Sequence, residues 1–395
     1  MNYQRVQLNN LIKRVKETRR FIQVIYGPRQ VGKTTLVKQL IEKNLITSHY
    51  ASGDAIFNNE VTWIAEQWNL ARIKLSQNVK KELLLIFDEI QKIKNWGELV
   101  KKEWDYDTFN NIQIKVMLLG SSRVLLQQGL TESLAGRYET IYIGHWTFSE
   151  MKSAFGFNEE EYSWFGSYPG SISLVEDEIR WKQYIRDTLI ETSITKDVLL
   201  MTRVDKPALM RRLFELGCLY SGQIISFNKI IGQLQDAGNT TTLSHYLTLL
   251  DNAGLLAGIE RYSKNTLRQR ASIPKFQVHN TALISAQNIL LFNKIKSQPD
   301  RWGRIVESAI GAHLLNYSLT YQFKLFYWRK SNDEVDFVLF NDNKLIGIDV
   351  TISSLHRTSG LTEFKKEFNP YKIYLVGKDG IPWKEFININ PVELF

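Results

Sequence analysis

Residues 26–40 read YGPRQVGKTTLVKQL, with Gly27 and Gly32 five apart and Lys33-Thr34 directly after, so the stretch satisfies GxxxxGK[ST]. That spacing predicts a phosphate loop. Gly27, Pro28, Arg29, Gln30, Val31 and Gly32 wrap the phosphates, Lys33 reaches the β- and γ-phosphates, Thr34 gives an oxygen to magnesium, and Thr35 completes the run. A second acidic motif should follow such a loop, and ELLLIFDEIQKI supplies it at residues 82–93. Asp88 is expected to hold magnesium through water and Glu89 to polarise the attacking water.

Two further polar positions are candidates for the same chemistry. Ser121 or Ser122, in KVMLLGSSRVLL, either hydrogen-bonds the γ-phosphate or its water, or serves as a turn or helix cap after Gly120. Arg137, in SLAGRYETIYI, either stabilises transferring phosphate charge, in cis or across a subunit interface, or forms a surface or interdomain salt bridge. Guanine recognition by an Asn-Lys-x-Asp stretch has no match, since NKII, NKIK and NKLI all lack the aspartate; the expected nucleotide is ATP with Mg2+.

These residues need a scaffold that brings both motifs to one edge. Five β-rich runs, Phe21 to Tyr26, Ser48 to Ser52, Leu83 to Phe87, Lys115 to Leu119 and Glu139 to Ile143, alternate with helical lengths. That pattern predicts an α/β fold with a parallel sheet covered on both faces. At 395 residues the chain is long enough for two or three domains. The expected division is a P-loop ATPase domain at 1–150, a helical linker or lid at 151–205, a winged-helix domain at 206–265 and an α/β domain at 266–395. The winged helix is read from three helical patterns, the last in NTTTLSHYLTLL with Asn239 as N-cap, followed by a strand pair. Its presumed reading helix carries only His245 as a cation, which suits DNA phosphates poorly. RYSKNTLRQR, residues 261–270, is either a nonspecific nucleic-acid contact or an ordinary solvated loop.

Composition adds limits. The chain has 50 basic and 41 acidic residues, net +9, which permits an anionic partner without requiring one. A single cysteine, Cys218, excludes an intramolecular disulfide and a cysteine zinc cluster. No apolar run reaches the length needed to span a bilayer and the first residues are not signal-like, so a cytoplasmic protein without membrane contact is expected.

Taken in order, GPRQVGKTT, LLLIFDEIQK, GSS, LAGRY and EVDFVLF resemble the prokaryotic ATPases that join an AAA-type N-terminal module to a C-terminal domain of poorly defined function. The resemblance covers nearly the whole chain. It implies an AAA-type P-loop fold with an extra strand between the two nucleotide motifs, a winged helix, and a C-terminal unit similar to restriction endonucleases. In such nucleases, acidic residues and an acidic-x-Lys triplet bind magnesium and activate water. Glu307, Asp336 and Asp349 stand in the corresponding order, but the triplet reads Asp349-Val350-Thr351, with threonine in place of lysine. Arg329 and Lys330 are the neighbouring cations that could substitute. The unit is read as an active nuclease, as a degenerate binding or structural domain, or as an unrelated α/β domain, with the degenerate reading preferred.

The leading expectation is therefore magnesium-dependent ATP hydrolysis that rearranges the C-terminal domains, with nucleic acid or an unidentified protein as the load and a homo-oligomer as one form of assembly. The alternatives are a nucleotide-gated binding switch with little hydrolysis, and an ATP-regulated magnesium nuclease.

Overall fold

A computed structural model of the chain describes residues 3–55, 62–79, 81–120, 130, 133–199, 204–233, 239–265, 269, 272–352 and 359–395. It divides into two compact units, Met1–Ile143 and Gly144–Phe395.

The first unit is an α/β layer built on five strands: β1 Ile22–Tyr26, β2 Thr47–Ser52, β3 Leu83–Asp88, β4 Ile114–Gly120 and β5 Tyr138–Tyr142. All pair in parallel, in the order β2-β3-β4-β1-β5. The sequence shows why. β3 and β4 are buried along their whole length, as parallel strands are when helices cover both faces. One face sends Val24, Leu85, Phe87, Val116 and Leu118 into a core with Trp68 and Trp104 from the helices Trp63–Ser76 and Trp96–Phe109. The other face packs Ile25, Leu84, Ile86, Met117 and Leu119 on Leu8 and Leu11 of α1 (Gln7–Lys16) and on Leu36 and Leu40 of α2 (Lys33–Glu42). Alternate residues of continuous apolar runs thus feed two cores. All five expected runs lie where strands form, and β4 is the strand between β1 and β3.

Within the second unit, the helices Pro207–Leu219, Phe227–Ile231 and Thr240–Asn252 follow one another. The Asn239 side chain accepts from the Thr242 amide at 2.8 Å, the predicted N-cap. An antiparallel ribbon follows, β6 Leu256–Ile259 with β7 Lys275–Val278. Its two strands lie on opposite sides of residue 265, where one domain was expected to end. The fully buried Trp164 and Trp181 lie within residues 151–205, expected as a linker or lid. Trp164 Nε1 donates to Glu178, whose carboxylate also accepts from the Phe292 amide, and the Lys182 ammonium donates to the carbonyls of Asn288 and Leu290. Those bonds tie the segment into the core of its unit. Cys218 is buried, as a core filler should be. The long helix Pro299–Tyr321 then precedes a mixed sheet, β8 Lys324–Lys330, β9 Asp333–Asn341, β10 Lys344–Thr351 and β11 Lys372–Gly377, in the order β11-β10-β9-β8. β8, β9 and β10 are antiparallel, and β11 joins β10 in parallel.

The two helices over the first sheet share a buried charge. Asp107, fully buried, accepts from Trp68 Nε1 at 2.7 Å and from Arg72 Nε at 2.8 Å. Asp107→Ala removes the acceptor of the Trp68 indole and leaves the Arg72 guanidinium to its contacts with Glu103 and Asn69, so about 2 kcal/mol of stability should be lost. Urea unfolding measures this, and a loss below about 1 kcal/mol would mean that solvent replaces the carboxylate.

Candidate functional site

The phosphate loop leaves β1 at Tyr26 and enters α2 at Lys33. Gly27 has φ +156°, and a Cβ there would lie 2.0 Å from the carbonyl oxygen of Ile143, so a side chain fits neither the turn nor the space. No side chain caps α2 and no acidic residue stands in its first turn. The positive end of the helix dipole thus faces the loop without a side-chain carboxylate to offset it, which favours an anion there. The Lys33 ammonium lies over the loop, donating to the carbonyls of Gly27 at 2.9 Å and Pro28 at 2.7 Å.

Strand order brings Asp88 to this loop. β3 ends on Asp88 with only β4 between it and β1, a separation of roughly 10 Å. Thr34 crosses that gap: its Oγ1 donates to Asp88 Oδ2 at 2.8 Å. The same oxygen accepts from the Tyr50 hydroxyl at 2.7 Å, and Oδ1 accepts the Glu89 amide at 3.0 Å. Glu89 itself has left-handed backbone, φ 52°, unusual for a side chain this large, which turns the chain sharply at the strand end. Gln91 Nε2 donates to its carboxylate. Burial pushes the Glu89 carboxyl above the usual range, against the opposing pull of Lys33 and Arg29. The charges of loop and strand end are therefore felt at one place, and the set of hydroxyl, carboxylate, ammonium and helix N-terminus suits a magnesium-bound polyphosphate.

Two contributors escaped the sequence reading. Tyr50, on β2, approaches Asp88 only because β2 pairs with β3, with Tyr50 opposite Ile86. Arg5 is buried and donates to the Val31 carbonyl at 3.2 Å, tying the start of the chain to the phosphate loop. Neither residue carries a motif; the only signal for Tyr50 is its position two residues before the end of a strand adjacent to β3.

Arg137 requires a correction. It precedes β5, whose Tyr138 pairs with Ile22 at the start of β1, while the loop leaves the end of β1. That places it about 13 Å down the sheet, at the edge opposite the loop. There it binds Asp105 through Nε at 2.8 Å and Nη2 at 3.0 Å. The cis role gives way to the salt-bridge alternative. A cavity of about 320 Å³ lined by Arg14, Arg19, Lys115 and Glu139 also opens at that far edge and takes no part in the loop. Ser121 and Ser122 lie outside the described residues, as do parts of the stretch at 261–270.

In the second unit, Glu307 from the long helix, Asp336 from β9 and Asp349 from β10 do converge. Lys330 does not join them, pairing with Glu367, and Arg329, whose Nε donates to the Ser331 carbonyl, acts on the neighbouring Glu334 carboxylate across the β8/β9 pair. The cation found among the carboxylates is Lys275, which no sequence pattern marked. Among the described residues no group of three or more acidic, histidine or cysteine side chains is arranged to hold a metal ion.

Residues 19–152 match an AAA domain family, and the chain continues through two domains of unknown function, DUF8612 over 157–294 and DUF4143 over 302–394. An uncharacterized protein of Methanocaldococcus jannaschii is 25% identical over 377 residues, covering 89% of this chain and 80% of its own. The Thermotoga maritima RuvB Holliday junction branch migration motor matches with 18% identity over 64% of this chain and 86% of its own, at a TM-score of 0.32, too low to carry an argument about function. No helix among the described residues is long and apolar enough to cross a membrane. The family match and the sheet geometry agree on a P-loop NTPase-like α/β domain with a parallel sheet at the amino-terminal end of the chain, a domain class that binds and hydrolyses nucleotide.

The Tyr50 hydroxyl fixes Asp88 Oδ2 from the neighbouring strand. If the site turns over a magnesium-bound nucleotide, Tyr50→Phe should raise the Mg2+ concentration for half-maximal turnover up to about tenfold, the worth of one hydrogen bond to a charged group, while kcat at saturating Mg2+ stays within about twofold. A Mg2+ titration of the steady-state rate separates these; a fall in kcat with unchanged Mg2+ dependence would assign Tyr50 a different role.

Proposed function

We propose that this protein is a magnesium-dependent ATPase. The observation that carries the reading is the Thr34 hydroxyl on Asp88 Oδ2, 2.8 Å apart at the mouth of the phosphate loop, which joins the two halves of a nucleotide site. In this reading Gly27 to Thr35 bind and orient the polyphosphate, and Lys33 moves its donors from the loop carbonyls to phosphate oxygens. Thr34 and Asp88 fix the ion's position, directly and through water. Glu89 orients the attacking water and takes up its proton. Bound magnesium supplies charge neutralisation between the phosphate oxygens. The absent guanine motif favours ATP as substrate. Arg137 is retained only for action in trans.

Beyond the first unit the proposal is coarser. The three helices with the β6/β7 ribbon are read as a winged helix, and the long helix with the mixed sheet as a restriction-endonuclease-like fold. Hydrolysis is proposed to change how these domains engage a load, nucleic acid or a protein partner, in the cytoplasm.

Turnover measured across protein concentration, with DNA, RNA or no polymer, tests the reading and reports assembly and polymer stimulation together. Lys33→Ala should abolish nucleotide binding. Glu89→Gln should retain binding yet lose at least about 100-fold in turnover, as expected for a missing general base. Wild-type turnover no higher than that of either variant would sink the proposal.

A pH profile adds a second check. The base must be ionised and its carboxyl is held above the ordinary value. Activity should therefore fall as pH is lowered, with the acid limb at a higher pH than an unperturbed glutamate near 4.3 would give. A profile flat from pH 5 to 8 would exclude Glu89 as the base.

A further inference from the structure

Four carboxylates crowd one point of the second unit. Glu334 and Asp336 lie two apart on β9 and so share a face of the sheet. The antiparallel register that pairs Ile348 with Phe337 brings Asp349 of β10 beside Asp336. Glu307 reaches the same place from the long helix, where it feels the charges of Asp336 and Glu334. Lys275, the first residue of β7, projects into the middle of this group. Its side chain is fully buried, and its ammonium lies 2.7 Å from Asp336 Oδ1, 3.2 Å from Glu307 Oε1 and 3.5 Å from Glu334 Oε1.

We propose that this cluster is a cation site filled by the chain's own Lys275 ammonium, so that the second unit takes no divalent ion there. An ammonium has three N–H donors, and three carboxylates surround this one. The Asp336 separation is that of a charge-assisted hydrogen bond, and Glu307 and Glu334 complete the group as ion-pair contacts. The second oxygen of Asp336 is also engaged, accepting the Val350 amide at 2.9 Å. The Lys275 side chain is fully buried, and its backbone is paired with Ile259 in the ribbon and bridged to Ile224.

Burial alone would make the ammonium more acidic, but Asp336, Glu307 and Glu334 outweigh that and raise it above the ordinary lysine range. Burial first, then repulsion from Asp336, raises the carboxyl groups of Glu307 and Asp349 above the ordinary carboxylate range. The threonine at 351 fits this arrangement. The cluster's positive charge comes from a different strand, 76 positions before the triplet's last residue by the numbering (351 − 275). The proposal is independent of the nucleotide site in the first unit.

Mn2+ binding to the full chain, free of nucleotide, tests it by electron paramagnetic resonance. Wild-type protein and Asp336→Asn should bind the same number of Mn2+ ions. Lys275→Met should gain one equivalent, and its melting temperature should rise on adding Mn2+ while that of the wild type does not move. Adding Asp336→Asn to Lys275→Met should cancel both gains. A wild-type Mn2+ site that Asp336→Asn removes would overturn the proposal, and nicking of supercoiled plasmid lost in the same variant would make Lys275 the lysine of a working nuclease. A folded Lys275→Met that gains no Mn2+ would overturn it as well. If Lys275→Met does not fold, the comparison of wild type with Asp336→Asn still decides.

Discussion

All five strands of the first unit run the same way, and most of the candidate site follows from that single constraint. In a parallel sheet every carboxyl end lies on one edge, so a loop after β1 and an acidic residue at the end of β3 meet without any further design. Inserting β4 between them sets the gap, and α2, launched from the loop, spans it with Thr34. The same constraint disposes of Arg137. Whatever precedes a strand of this sheet lies on the far edge, so a residue just before β5 stands a full strand length from the loop.

What the sequence revealed in advance was local or periodic. Strands buried on both faces read as unbroken apolar runs, which is why β3 and β4 could be bounded to within about two residues. The loop and the Asp88-Glu89 pair each occupy a few consecutive positions, and the Asn239 cap is satisfied three residues away. What remained hidden depends on partners distant in the chain. Tyr50 meets Asp88 38 positions later, Arg5 meets Val31 26 positions later, and Lys275 meets Asp336 61 positions later. A lone tyrosine, arginine or lysine carries no spacing signal. Only the folded register determines which carboxylate or carbonyl each will find.

Lys275 also shows why matching residue types in the right order can mislead. Glu307, Asp336 and Asp349 were expected to converge, and they do, yet convergence of carboxylates does not specify the cation between them. Like charges brought together and buried must be neutralised by a metal, by protons or by an opposite charge from elsewhere. Of the cations on the neighbouring strand, Lys330 pairs with Glu367 and Arg329 acts on Glu334 at the rim of the group. The cation arrives instead from the ribbon that follows the three helices, an element assigned in part to another domain.

The two carboxylate sites of this chain answer the same electrostatic problem in opposite ways. Around Asp88 the side-chain donors are hydroxyls, from Thr34 and Tyr50, and the remaining partner is a backbone amide. All are neutral, so they fix the carboxylate's direction and leave its negative charge available to a cation that comes and goes. Around Asp336 one donor is the Val350 amide and the other a full positive charge sealed from solvent. That pairing engages Asp336, Glu307 and Glu334 and ties the ribbon to the C-terminal sheet, in place of the exchangeable position a metal enzyme needs. A carboxylate held by neutral donors is prepared for a mobile ligand. One held by a buried ammonium has already bound its own.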